Sequence, residues 1–233
     1  MTELTDRYVV IARSKWGSPS QRDVRPATSG AADDDRFRRL MSGTDWAQLP
    51  AVIRRRFSKA LACHEQRTFV GAVVRTTHSR PGLWLARLAR LAGGPLPDTH
   101  RATGPSTVVV TRDDALGGQV WTRTYARPGR LPQTINSVKR FAGPTGLEEY
   151  LGHGFVMRLT LHEEAGDLVF RSAGYDLLLG GLRLALPRLL TPGRCTIRHR
   201  DEGCDRFSFT LTLDHPWLGR LVEQVAYYEE IVR

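Results

Sequence analysis

The sequence predicts an α+β fold: a strongly curved antiparallel sheet, half-barrel or helix-grip-like, with helices covering its concave face. Three observations lead there. About nine segments alternate apolar and polar residues and follow one another through short turns, for which an antiparallel meander is the economical topology. Two or three amphipathic helical segments come early in the chain. A sheet this long twists and curls, and its concave face must then be filled by helices, by a ligand, or by both.

The elements follow in order. Residues 1–34 read as an extension and linker: Tyr8-Val9-Val10-Ile11 suits one short strand, and SPSQRDVRPATSGAADDD is polar and rich in turn formers. Residues 35–233 are expected to form a single curved-sheet domain, opening with a short helix over 35–44. Pro50 opens a helix over 50–62 whose Val52, Ile53, Phe57 and Leu61 share a face. Residues 68–77 read as a strand. GLWLARLARLAG (82–93) reads as an amphipathic helix, with Leu85, Leu88, Ala89 and Ala92 on one side and Arg87 and Arg90 on the other. Strands follow at 106–113, 117–126, 135–141, 148–152, 155–164, 167–176, 194–200 and 205–215. In the last of these, Phe207, Phe209, Leu211 and Leu213 alternate with Ser208, Thr210 and Thr212. The tail after Gly219 fits either a helix or a strand by periodicity.

The segment GYDLLLGGLRLALPRLLTPG (174–193) is the most apolar in a chain with net charge +10. Its apolar run of about 14 residues is too short to span a bilayer, which takes roughly 20. Gly180-Gly181 and two prolines argue against one continuous element, so a short helix or ordered loop is expected between Gly181 and Leu190. Leu182, Leu184, Leu186, Leu189 and Leu190 then need an apolar partner. They form a plug for the open end of the sheet, the rim of an apolar pocket, or a membrane-surface contact helped by Arg183 and Arg188.

Charge and cysteine content narrow the classes. Residues 67–140 carry 12 basic and 3 acidic side chains, yet no nucleic-acid motif or aromatic platform accompanies them, so no nucleic-acid partner is expected. Cys63, Cys195 and Cys204 show neither metal-ligand spacing nor a disulfide framework. No signal-peptide pattern opens the chain, and a cytoplasmic location is expected. No HxH, HExxH, GxSxG or phosphate-cradling loop is present, so no metal and no cofactor is expected.

Candidate residues remain. Trp121, Arg123 and Tyr125 share one strand face. If that face is concave, Arg123 needs an anion, either a carboxylate such as Glu149 or Asp176 or the acid group of a ligand. If the face is solvent, Arg123 stacks on the aromatic rings. Tyr175, Asp176, Leu182 and Leu186 stand at the mouth of the apolar segment and complete a candidate ligand-binding set. His153, glycine-flanked and near Glu148 and Glu149, His215, at a strand end, and Glu149 itself are candidate acid–base catalysts.

Five stretches together resemble the bacterial domain-of-unknown-function family 4166: WLARLARLAGGPL (84–96), GGQVWTRTYA (117–126), EEYLGHGFVMRL (148–159), GGLRLALPRLLTPG (180–193) and RHRDEGCDRFSFTLTLDHPWLG (198–219), with Gln224 beyond. The resemblance covers roughly residues 45–230. Arg220 stands where the family pattern favours an acidic residue. The resemblance implies an extended tail after Gly219. Family members also occur joined to nucleotide-dependent oxidoreductase-like domains, which implies an accessory role beside such a partner. The leading expectation is a binding module for an apolar or amphipathic small molecule. The alternatives are a metal-free cyclase- or isomerase-like enzyme in the same pocket, and an oxidoreductase accessory.

Overall fold

Alternation makes most strands here two-faced, as where Phe207, Phe209, Leu211 and Leu213 share one side of a strand and Ser208, Thr210 and Thr212 the other. The structure is a computed structural model and describes residues 34–62, 65–91, 103–113, 118–127 and 129–231. Its strands are β1 (Gln66–His78), β2 (Gly104–Asp113), β3 (Gly118–Arg127), β4 (Arg130–Arg140), β5 (Glu148–Gly152), β6 (Phe155–Glu164), β7 (Asp167–Leu179), β8 (Leu182–Ala185), β9 (Arg194–Gly203), β10 (Arg206–His215) and β11 (Gly219–Ile231). Among the described residues four helices accompany them: α1 (Arg36–Arg39), α2 (Gly43–Gln48), α3 (Ala51–Phe57) and α4 (Arg80–Leu91).

The expectation of an open α+β half-barrel is overturned: the sheet closes into a ten-strand antiparallel barrel. Each strand pairs with the next from β1 to β7, β7 pairs with β9, and the run through β10 and β11 returns to β1. The pairing absent from an open meander is β1–β11, which joins the first strand to the last from Thr68↔Ile231 to His78↔Val222 with a bulge between Val73 and Arg75. Closure removes the edges that an open sheet must protect, and the interior is lined by side chains of the strands themselves. The helices therefore do not cover a concave face but lie at the barrel's two ends.

Helices α1–α3 close one end. Ser42 accepts a hydrogen bond from the Asp45 amide and caps α2, while Pro50 precedes α3. Phe37, Trp46, Leu49, Ile53 and Phe57 are buried against Leu147, Leu159, Leu168 and Phe170. The Phe37 ring meets Phe57, Phe141 and Phe170 edge-on at 5.2, 4.8 and 6.4 Å. The helix expected over 50–62 stops at Phe57; the Ser58 hydroxyl donates back to the Arg54 carbonyl at 2.6 Å.

At the other end α4 follows β1 and lies against the start of β11. A Cβ on Gly82 would stand 2.0 Å from the Leu221 carbonyl oxygen, so only glycine allows this approach. The segment after Gly181 differs from expectation. Gly180 and Gly181, both with positive φ, turn the chain into β8, which pairs back on β7. A 3-10 turn at Arg188–Leu190 then leads to β9. The tail is a strand, and all but Asp34 of the N-terminal extension lies outside the described residues.

Candidate functional site

The interior faces are Trp121, Arg123 and Tyr125 on β3; Ser137 and Lys139 on β4; Met157 and Leu159 on β6; Phe209, Leu211 and Leu213 on β10; and Gln224, Ala226 and Tyr228 on β11. The helices fill only one end of this interior. Above them remains a cavity of about 410 Å³, within the roughly 300–1,000 Å³ typical of small-molecule sites. Its walls are mostly apolar, and its mouth is framed by Leu85, Leu88 and Ala89 of α4 and by Leu186, Leu189 and Leu190 after β8.

One charged cluster interrupts the apolar wall. Glu149 on β5 accepts from the Ser137 hydroxyl at 2.5 Å, from Lys139 Nζ at 3.1 Å and from Arg123 Nη2 at 3.4 Å. Arg123 Nη1 donates to Ser137 Oγ at 3.0 Å. Lys139 Nζ lies 4.5 Å from the centre of the Trp121 ring, and the Arg123 guanidinium 5.7 Å from it. Among the described residues, the charged side chains lining the cavity are Arg123, Lys139 and Glu149, so this wall carries one positive charge in excess.

Burial by itself would raise the Glu149 carboxyl, but the Lys139 and Arg123 charges and the hydrogen bonds from Ser137 and Lys139 outweigh it and hold the group at about 2. Burial lowers Lys139, opposed by Glu149. The Cys195 thiol, also lining the cavity, is pushed by burial up to about 12, which makes it inert as a nucleophile. Burial raises Tyr125, Tyr175 and Tyr228 as well, leaving neutral phenols. Tyr125 donates to Gln224 Oε1 at 3.4 Å, and Gln224 Nε2 donates to Thr76 at 3.2 Å.

The residues singled out from sequence divide cleanly. Trp121, Arg123, Tyr125, Glu149, Tyr175 and Leu186 line the cavity. Asp176 and Leu182 do not. Asp176 is buried on the outer side of β7, where Arg183 Nη1 donates to it at 2.6 Å and Arg158 Nε lies 3.4 Å away. Leu182 is 66 % exposed on β8. His153 sits at an exposed turn with φ 48°, and His215 accepts through Nδ1 from the Trp217 and Leu218 amides at 3.3 Å each, in the turn after β10. Neither histidine lines the cavity. Glu149 is the one acid–base candidate inside, and its ion pairs make it a weak base.

Lys139, Gln224 and Tyr228 line the cavity but were not candidates from sequence. The signal for Lys139 was available: it is one of three lysines in a chain with 34 basic residues, and it shares a face of β4 with Ile135 and Ser137. Among the described residues, no group of three or more His, Cys, Asp or Glu side chains could hold a metal ion. No helix of the described chain is long and apolar enough to cross a membrane.

Fold and site together define a class: a closed antiparallel β-barrel whose interior is an apolar cavity with one charged cluster in its wall. The chain belongs to a family described as a domain of unknown function (DUF4166), which matches residues 49–227. Comparison with curated proteins and with solved structures finds no match.

Proposed function

We propose that the barrel binds an amphipathic small molecule, with an apolar body against the interior wall and an anionic group on Arg123. The observation that carries this reading is the excess positive charge inside an otherwise apolar cavity. A buried charge is costly unless an opposite charge meets it. Glu149 offsets one of two cations, and Arg123 keeps 20 % of its side chain exposed towards the open space. An incoming carboxylate or phosphate completes the neutralisation and gains charge-assisted hydrogen bonds.

The outer face supports an interior site. Thr122, Thr124, Thr210 and Thr212 point outward, as do the pairs Arg75–Glu223 and Arg198–Glu164. This polarity is the reverse of a lipid-embedded barrel, which is apolar outside and polar within.

The test is solvent extraction of freshly purified protein with native mass spectrometry, followed by titration of a fluorescent fatty acid. A stoichiometric apolar adduct, or saturable uptake of the probe weakened in Arg123→Gln, supports the reading. A clean apo mass together with no uptake of either charged or neutral apolar probes overturns it.

A further inference from the structure

Of the fifteen described large apolar side chains that remain exposed, six stand together at the mouth end of the barrel. Trp84 is 65 %, Leu190 73 % and Trp217 70 % exposed, with Leu88, Leu189 and Leu218 beside them in the same three segments. These segments are neighbours. The Ser79 amide donates to the Leu221 carbonyl, which seats α4 at the start of β11. Gly193 lies against the Asp214 carbonyl, which seats the 186–193 segment at the end of β10. The turn carrying Trp217 and Leu218 joins β10 to β11 between them. Monomeric proteins rarely leave an apolar surface of this kind uncovered.

Charge says what covers it. Residues 79–91, 180–194 and 215–220 contain arginines and no aspartate or glutamate. Arg183 and Arg220 are taken up by carboxylates of the strands. Arg80, Arg87, Arg188 and Arg194 make no ion pair among the described residues, and Arg87 lies over the Trp84 ring at 5.7 Å. Exposed tryptophan and leucine ringed by unpaired arginine match a bilayer interface with anionic headgroups, where aromatic rings sit at headgroup depth and arginines meet phosphates. The rim is also continuous with the cavity wall, since Leu88, Leu189 and Leu190 belong to both.

We infer that the mouth of the barrel docks on an anionic membrane surface, through Trp84, Trp217 and Leu218 with Arg80, Arg87, Arg188 and Arg194. Docked in this way, an apolar ligand passes between bilayer and cavity without crossing water. The surface contact itself stands independently of the ligand reading.

The test is co-sedimentation of the full chain with phosphatidylcholine vesicles, with and without phosphatidylserine. Binding is expected to phosphatidylserine vesicles, with a blue shift of tryptophan emission, and to fall at least tenfold on pure phosphatidylcholine or at high salt. Trp84→Ser with Trp217→Ser, and separately Arg80→Glu with Arg194→Glu, should each lower vesicle binding at least tenfold while leaving thermal melting unchanged. None of the four lines the cavity, so uptake of a soluble fluorescent fatty acid should persist in both variants. Arg123→Gln should do the converse, weakening uptake and keeping vesicle binding. Absence of binding to either vesicle, or binding that ignores the variants, overturns the inference. So does a concentration-dependent dimer abolished by the tryptophan variants, which would make this face an interface between copies.

Discussion

Glu149 and His199 are two buried titratable groups with opposite logic. Glu149 is held ionised at about 2, below its ordinary 4.5, so its pairing stabilises the fold fully above about pH 4.5. That contribution, roughly 3 kcal/mol at most, is lost as pH falls from 4.5 towards 2, because the unfolded chain takes up the proton first. Urea unfolding across this range should show the loss, and Glu149→Gln should flatten the slope while destabilising the protein at neutral pH through an unpaired Lys139. His199 is buried among Phe57, Phe207 and Phe209, and burial, together with the Arg56 charge 2.9 Å from its Nε2, holds it well below 6.5. The unfolded chain protonates there and the folded one does not, so stability falls as pH drops below about 6.5. An NMR titration should find the His199 ring silent through that value, and a normal titration in the native state would contradict the burial.

For Arg123 the expected signature is selectivity. Arg123→Gln removes the excess charge but leaves the Lys139–Glu149 pair intact. Affinity for a carboxylate ligand should drop about tenfold to a hundredfold, the range of a charged hydrogen bond, with little change for a neutral analogue. Isothermal titration with a fatty acid and its methyl ester separates the two. Trp121, Arg123 and Tyr125 were legible as one face because side chains alternate along a strand. Glu149 was legible as one of two carboxylates that could meet Arg123; Lys139 was not, because β4 carries polar residues on both faces and periodicity alone does not say which faces inward.

Among the elements, the α1–α3 plug sets the floor of the cavity. Phe37 is fully buried and meets three aromatic rings. Phe37→Ala should cost about 3–5 kcal/mol, read as a lower denaturation midpoint with unchanged slope. The β7–β8 hairpin is held by Arg183, which bridges Asp176 and Glu148 at 2.6 and 2.7 Å. This explains why Asp176, a ligand candidate from sequence, has a structural partner instead. Gly180-Gly181 signalled a break but not its kind: two glycines fit a loop and a hairpin equally well, and only the ladder from Asp176↔Ala185 to Leu179↔Leu182 decides between them.

At the scale of the whole molecule, closure turns ten two-faced strands into a container. Its capacity predicts a ligand series. For straight-chain carboxylates, each added methylene buried is worth about 0.8 kcal/mol, so Kd should fall about fourfold per carbon until the 410 Å³ interior is full, then level off. A competition assay over chain length checks this. A flat series would mean that the apolar wall does not contact the ligand.

What the sequence by itself determined is local. The alternation of Phe207, Phe209, Leu211 and Leu213, the helix facing Leu85 and Leu88 one way, the antiparallel meander and the family membership all rest on residues close in the chain or on a pattern in order. The tertiary structure decided the rest. It placed β1 beside β11 and β7 beside β9, closed the sheet, and so moved the helices from a face to the ends. It put Leu186 inside and Leu182 outside, although both lie in one apolar run. It brought Glu149 to Arg123 across 26 positions. The reason is that alternation within a strand is set by its own φ/ψ geometry, whereas barrel closure depends on strand tilt and register summed around the whole sheet.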